Sequence, residues 1–195
     1  MKRVAERRLA GLTIVLDGIH DPHNISAVLR SCDGFGIQHV HLIGIASELS
    51  ANRQITRGCH KWLTLHHHTS AAACAETLHA DGFALWAALP DREQKTLDDI
   101  DFCGKVALLF GAERDGLSDE LIAQADGKYV IPMPGFSQSL NVSVAAAISL
   151  YVGSHARRHA LGQATDMTHA ETEALAKIWI NADNERKRRG CPDPD

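Results

Sequence analysis

The sequence predicts an α/β fold, a mainly parallel six-stranded sheet with helices on both faces. Three observations predict it. Short runs rich in apolar and β-branched residues recur at 12–16, 39–44, 62–66, 83–89, 106–111 and 129–133. Helical or loop stretches separate them, as crossovers between parallel strands require. The runs are continuously apolar rather than alternating, which marks strands covered on both faces.

The elements follow in order. Residues 2–10 read as a short helix carrying Lys2, Arg3, Arg7 and Arg8. LTIVL at 12–16 is the first strand, and Asp17 to Asn24 form a loop. The next helix has Ile25, Val28 and Leu29 on one face, with Arg30 beside them. Gly34 and Gly36 mark its end, because glycine reaches the left-handed conformation that stops a helix. HVHLIG is the second strand, residues 50–58 a short helix, and WLTLH the third strand. An Ala-rich helix at 70–80 leads to FALWAAL, then VALLFG and YVIPM follow as strands four to six. From about Thr165 the pattern is helical, with Leu175, Ile178 and Trp179 as its apolar side and Arg186 to Arg189 at its end. The expected organisation is a basic N-terminal helix at 1–11, a catalytic domain at 12–160 and a helical extension at 161–195.

Composition narrows the function. The chain has 195 residues, 45% of them hydrophobic, enough for one full-sized core and a small appendage. Its 20 basic and 24 acidic residues give a net charge of −4, so bulk charge announces no nucleic-acid partner. The basic residues are nevertheless clustered, at the N-terminal helix, at Arg53/Arg57/Lys61, at Arg157/Arg158 and at Arg186 to Arg189. Together these clusters favour a polyanion partner whose binding weakens with salt. Cys32, Cys59, Cys74, Cys103 and Cys191 are scattered and odd in number, which fits reduced thiols in a cytoplasmic protein. No apolar run has the length of a membrane span.

The richest stretch runs from Lys105 to Tyr151. Two strands each enter a loop of small and polar residues. The first loop holds Gly111, Glu113 and Gly116; the second holds Gly135, Ser137, Gln138, Ser139 and Asn141 and opens a long helix. Loops beyond the carboxyl ends of parallel strands are where such sheets bind ligands. Each residue also has a plainer role. Asn24 can cap its helix, Glu113 can accept the N–H groups of its own turn, and Ser139 and Asn141 can be simple caps. Arg30 either reaches solvent or holds an anion, for which its planar fork suits phosphate. Gly135 would let the backbone approach a ligand closely. The histidines, among them His20, His23, His39, His41 and His66 to His68, show no cysteine or acid at metal-ligand spacing, so no metal is expected. The chain contains no GxGxxG, no P-loop and no GxSxG elbow.

Three stretches, HDPHNISAVLRSCDGFG, LLFGAERDGLSDE and IPMPGFSQSLNVSVAAAISLY, resemble in order the three motifs of the SpoU family of RNA ribose 2′-O-methyltransferases. The resemblance covers about residues 12–158. The flanking basic helices are similar to those of its tRNA (guanosine-2′-O)-methyltransferase branch, which modifies a D-loop guanosine. The resemblance implies a deep C-terminal trefoil knot of the SPOUT type, S-adenosylmethionine as cofactor, RNA as partner and a homodimer. It implies that Arg30, Asn24, Glu113, Ser139 and Asn141 serve catalysis. It also implies that Ala87, Leu89, Gly111, Ile131, Met133, Ser139 and Leu140 meet the cofactor. Ala87-Ala88 departs from the Thr-His common at that turn in the tRNA branch. Methylation of rRNA or of the tRNA wobble position, a non-catalytic RNA-binding module and a generic nucleotide-binding protein are the other functions considered.

Overall fold

The computed structural model describes residues 1–45, 58–90 and 95–188. The helix expected at 50–58 falls outside them but for Gly58, as do Arg53, Arg57 and Arg189. Seven parallel strands form one sheet, not the six expected. They are β1 (Leu12–Asp17), β2 (His39–Ile43), β3 (Thr64–His68), β4 (Phe83–Ala88), β5 (Lys95–Thr96), β6 (Lys105–Gly111) and β7 (Gly127–Val130). Their spatial order is β3-β2-β1-β6-β4-β7-β5. The additional strand, β5, is two residues long and pairs at the sheet edge through Lys95–Tyr129 and Thr96–Val130. So short and polar a strand leaves no apolar run in the sequence. The sixth expected strand, at 129–133, stops instead at Val130, because Pro132 and Pro134 have no N–H to give a ladder. The third begins at Thr64 rather than at residue 62, since Cys59–Trp62 is a 3-10 turn.

The helices are α1 (Lys2–Ala5), α2 (Pro22–Phe35), α3 (Ala71–Ala80), α4 (Asp119–Ala123), α5 (Val142–Leu161) and α6 (His169–Arg188). Asp21 caps α2 by accepting the His23 N–H at 2.9 Å, and Pro22 occupies the first turn, where a missing N–H costs nothing. Gly36 closes α2 at φ 80°. Ser70 caps α3 and Ser118 caps α4 in the same way.

Side chains alternate across the sheet and so divide the core in two. Leu12, Ile14 and Leu16 of β1 and Leu108 of β6 point toward α2 and α5, where Val28, Leu29, Ala146 and Leu150 meet them. Val15, Leu85, Ala107 and Leu109 point the other way, toward Cys74 and Leu78 of α3 and Leu121 of α4. Burying each such leucine or isoleucine stabilises the fold by roughly 2 kcal/mol.

The two ends of the chain meet in a third cluster of Ala5, Leu175, Ala176 and Trp179. Ile178, expected on the apolar side of the last helix, is 63% exposed. The buried stripe runs instead through Thr172, Leu175, Ala176 and Trp179, a spacing of three, one and three that keeps one face of a helix. The basic ends also need correction. Arg8 is 1% exposed and paired with Asp33, and buried Arg157 donates Nε to Asp166 at 2.5 Å. Both are structural and unavailable to a polyanion, whereas Lys2, Arg3 and Arg7 are exposed. Among the described residues no helix is long and apolar enough to cross a membrane.

Candidate functional site

A cleft of about 980 Å³ opens at the carboxyl ends of β4, β6 and β7, the end at which parallel sheets bind ligands. Its first wall is the β6–α4 loop. Gly111 ends β6, and Ala112 and Gly116 pair back on each other through hydrogen bonds of 3.0 and 2.9 Å. A Cβ on Gly111 would lie 2.0 Å from a backbone atom of Gly116. The fold-back therefore requires glycine at 111, which leaves the backbone there bare toward the cleft. Asp17 fixes the far side of this loop, accepting from the Ser118 N–H at 2.9 Å and the Ser118 hydroxyl at 2.7 Å. The second wall is the 131–141 loop between β7 and α5. Ile131, Met133 and Leu140 give it an apolar lining, with Ser139 among them. Leu89 lies on the third side, held by its N–H on the Tyr129 carbonyl at 3.0 Å.

Asn24, Glu113 and Asn141, far apart in sequence, form one chain of hydrogen bonds at the cleft. Asn141 caps α5, its Oδ1 accepting the Ser143 N–H at 2.9 Å and the Ser143 hydroxyl at 2.6 Å. Its Nδ2 donates to Asn24 Oδ1 at 3.1 Å. Asn24 Nδ2 in turn donates to Glu113 Oε1. Asn24 is thus no helix cap, a role that Asp21 fills. It is the buried link between two cleft-lining residues, and its amide supplies both donor and acceptor. Glu113 is exposed at the lip, with Oε2 available for a ligand donor.

The remaining expected residues divide. Gly111, Leu89, Ile131, Met133, Ser139 and Leu140 line the cleft. Ala87 does not; it is fully buried in the core under α3. Arg30 lies two turns along α2 from Asn24, exposed and outside the cleft lining, with no hydrogen bond or ion pair to another described residue. Gly135 adopts no left-handed conformation, and a Cβ there would meet open space. Thr96 and Arg114 also line the cleft; nothing in the sequence around Thr96 marks it, whereas Arg114 sits beside Glu113 in the 111–116 loop.

Four of the histidines meet in pairs across β2 and β3. His39 approaches His66 at 3.0 Å and His41 approaches His68 at 2.9 Å. Burial, followed by the neighbouring imidazoles, lowers the His41 pKa to about 3, and burial also lowers those of His39, His66 and His68. A cysteine, Cys74, stands close to His41 and His68, which the spacing along the chain did not reveal.

The SpoU rRNA Methylase family matches residues 11–151. The chain belongs to the SpoU family. Among curated proteins, this SpoU chain is similar to the tRNA (guanosine(18)-2′-O)-methyltransferase of Thermus thermophilus. The two are 38% identical over 151 residues, 77% of this chain and 78% of the relative. Among solved structures, the Aquifex aeolicus TrmH/SpoU tRNA modifying enzyme superposes with a TM-score of 0.83 at 30% identity, covering 93% of both chains. An AdoMet-bound rRNA methyltransferase from Sinorhizobium meliloti superposes at 0.66 and 26% identity, over 76% of this SpoU chain and 56% of that one. The family match contains both cleft loops, α2 and the Asn24–Glu113–Asn141 chain.

Proposed function

We propose that the protein is an S-adenosylmethionine-dependent RNA ribose 2′-O-methyltransferase acting on a guanosine of the tRNA D-loop. The observation that carries this reading is the joining of Asn24, Glu113 and Asn141 at one cleft, because a mere RNA-binding surface has no need of that constellation. Relatives named as tRNA (guanosine(18)-2′-O)-methyltransferases support the substrate, and an AdoMet-bound relative supports the cofactor. The rRNA reading has less support, since the match to the rRNA enzyme covers little more than half of that chain.

The cleft fits the cofactor. Its volume is that of a small-molecule site. Leu89, Ile131, Met133 and Leu140 offer apolar contact to an adenine and a methionine chain, and the bare backbone at Gly111 offers polar contact. S-adenosylmethionine would supply a methyl group on a sulfonium, whose departure needs no acid. The protein's own residues then have to position the ribose and ease loss of its 2′-hydroxyl proton. Glu113, fixed by Asn24, would accept a hydrogen bond from a ribose hydroxyl. Asn141, held in the α5 cap, fixes Asn24, and the Ser139 hydroxyl adds a donor on the opposite wall. Arg30 is assigned to the RNA side, where its fork binds the adjacent phosphate and stabilises the developing oxyanion. A guanidinium holds its proton too tightly to act as a base.

We further assign residues 12–160 to the catalytic unit and take the flanks 1–11 and 161–195 as supports for RNA or subunit contact. The trefoil knot is part of the same reading. Its support is membership of the SpoU family. A crystallographic trace that closes to an unknotted curve would sink it. A homodimer is supported by the exposed apolar residues Val144 and Tyr151, which lie two turns apart along one side of α5. The cytoplasm is the compartment that tRNA and scattered free thiols favour.

The test supplies labelled S-adenosylmethionine and unmodified tRNA transcripts, with and without the D-loop guanosine. Label is expected on the 2′-oxygen of that guanosine alone. Cofactor binding without transfer to tRNA would overturn the substrate, and absence of cofactor binding would favour a non-catalytic RNA-binding module.

A further inference from the structure

Away from the cleft, β2, β3 and α3 bring together donor atoms that the methyl-transfer reading does not use. The register pairs His41 with His66 and Ile43 with His68, and alternation sends His39, His41, His66 and His68 to one face. The His41 ring stacks on His66 with centroids 4.6 Å apart and on His68 with centroids 5.2 Å apart. α3 lies over this face and delivers Cys74. One ring nitrogen of His41, one of His68 and the Cys74 sulfur all lie within 4.8 Å of one another. His41 is 5% and Cys74 0% exposed, while His68 is partly open to solvent. None of the three lines the cleft.

We propose that His41, His68 and Cys74 form a binding site for a late transition-metal dication of the Zn²⁺ type. Two imidazoles and a thiolate are the donor set that selects such ions over Mg²⁺ or Ca²⁺, which take oxygen. Tetrahedral ligands at zinc bond lengths stand about 3.5 Å from one another. The two histidine nitrogens at 2.9 Å would open slightly and the sulfur would close in, movements within the reach of side-chain rotation. Three protein ligands leave the fourth position to water on the open side of His68. Neutral imidazole is the ligating form. The buried Cys74 thiol would give its proton to solvent as the metal–sulfur bond forms, so binding strengthens as pH rises. Such an ion would tie β2 and β3 to α3.

The competing account is a plain N–H···N hydrogen bond between the two rings, with Cys74 an ordinary core thiol. Co²⁺ separates the two in the full-length, chelator-stripped protein. One equivalent per chain is expected to give the visible bands of tetrahedral cobalt and a near-ultraviolet thiolate charge-transfer band. Cys74→Ser removes the thiolate band, whereas Cys103→Ser keeps it. His68→Ala weakens Zn²⁺ binding, measured against a chromophoric chelator, by at least about 100-fold. Circular dichroism reports whether each variant is folded. If the wild-type protein shows no thiolate band, or if folded His68→Ala binds Zn²⁺ as tightly as wild type, the site does not exist.

Discussion

Asn24 is the residue on which the cleft turns. Its amide donates to Glu113 and accepts from Asn141, so a replacement without both a donor and an acceptor breaks the chain. Asn24→Ala is expected to leave Glu113 without its partner and to lower kcat by about 100-fold, the scale of a small misplacement at a reacting centre. KM for tRNA should change little, and steady-state kinetics with a labelled cofactor measures both. Arg30 poses a different question because it stands outside the cleft. Arg30→Ala should lower turnover by at least about 100-fold while calorimetry finds the cofactor bound as before. Arg30→Lys should recover only part of the loss, since a lysine lacks the bidentate fork. Full activity in either Arg30 variant would remove it from the mechanism. Neither residue's situation was legible in the sequence. Asn24 had an adequate explanation as a cap until Asp21 proved to hold that position, and its two partners lie 89 and 117 residues away. The histidines were hidden in the same way. An alternating His-x-His shows which face a side chain takes, but not which strand or cysteine that face meets.

At the scale of elements, strands long enough to carry an apolar run were legible and the rest were not. β1, β2, β4 and β6 start and stop within about a residue of expectation. β5 carries a lysine and a threonine, and β7 is cut short ahead of two prolines. The turn after β6 is more demanding than its sequence showed. Gly111→Ala forces a methyl group into the Gly116 backbone, so the fold-back has to open. Cofactor affinity should fall at least tenfold, as an estimate of about 1.4 kcal/mol from a displaced wall, and calorimetry reads it. α5 presents Val144 and Tyr151 to solvent, and the proposed homodimer would cover them. Tyr151→Glu is expected to shift the protein from dimer to monomer in light scattering. A wild-type protein that is already monomeric would sink the assembly along this helix.

At the scale of the whole molecule, Asp166 connects the parts. Its carboxylate accepts the backbone N–H groups of Ala10 at 2.7 Å and Gly11 at 2.9 Å, and it pairs with buried Arg157. Arg157 also donates to the carbonyls of Phe102 at 2.9 Å and Cys103 at 3.3 Å. Asp166→Ala removes the charge partner of a buried cation, a change that costs about 3–5 kcal/mol. In a chain of this length that lowers Tm by roughly 10 °C, measurable by calorimetry. The fold class was readable because strand–helix alternation is a property of composition and spacing. This clasp was not, because an aspartate in a loop carries no mark of which distant amides it will bind.

The clasp has a consequence for how the protein tolerates loss. Ala10 and Gly11 lead into β1, an interior strand of the sheet, while Asp166 leads into α6, which lies over α1. Trimming the C-terminus past the clasp leaves Arg157 without its carboxylate, whereas trimming the N-terminus spares that pair and takes two amides from Asp166. Deletions at opposite ends of the gene should therefore weaken one clasp, the C-terminal one more severely. At this clasp an N-terminal deletion added to the C-terminal one finds no carboxylate left to release, so the two extremities are genetically coupled rather than additive.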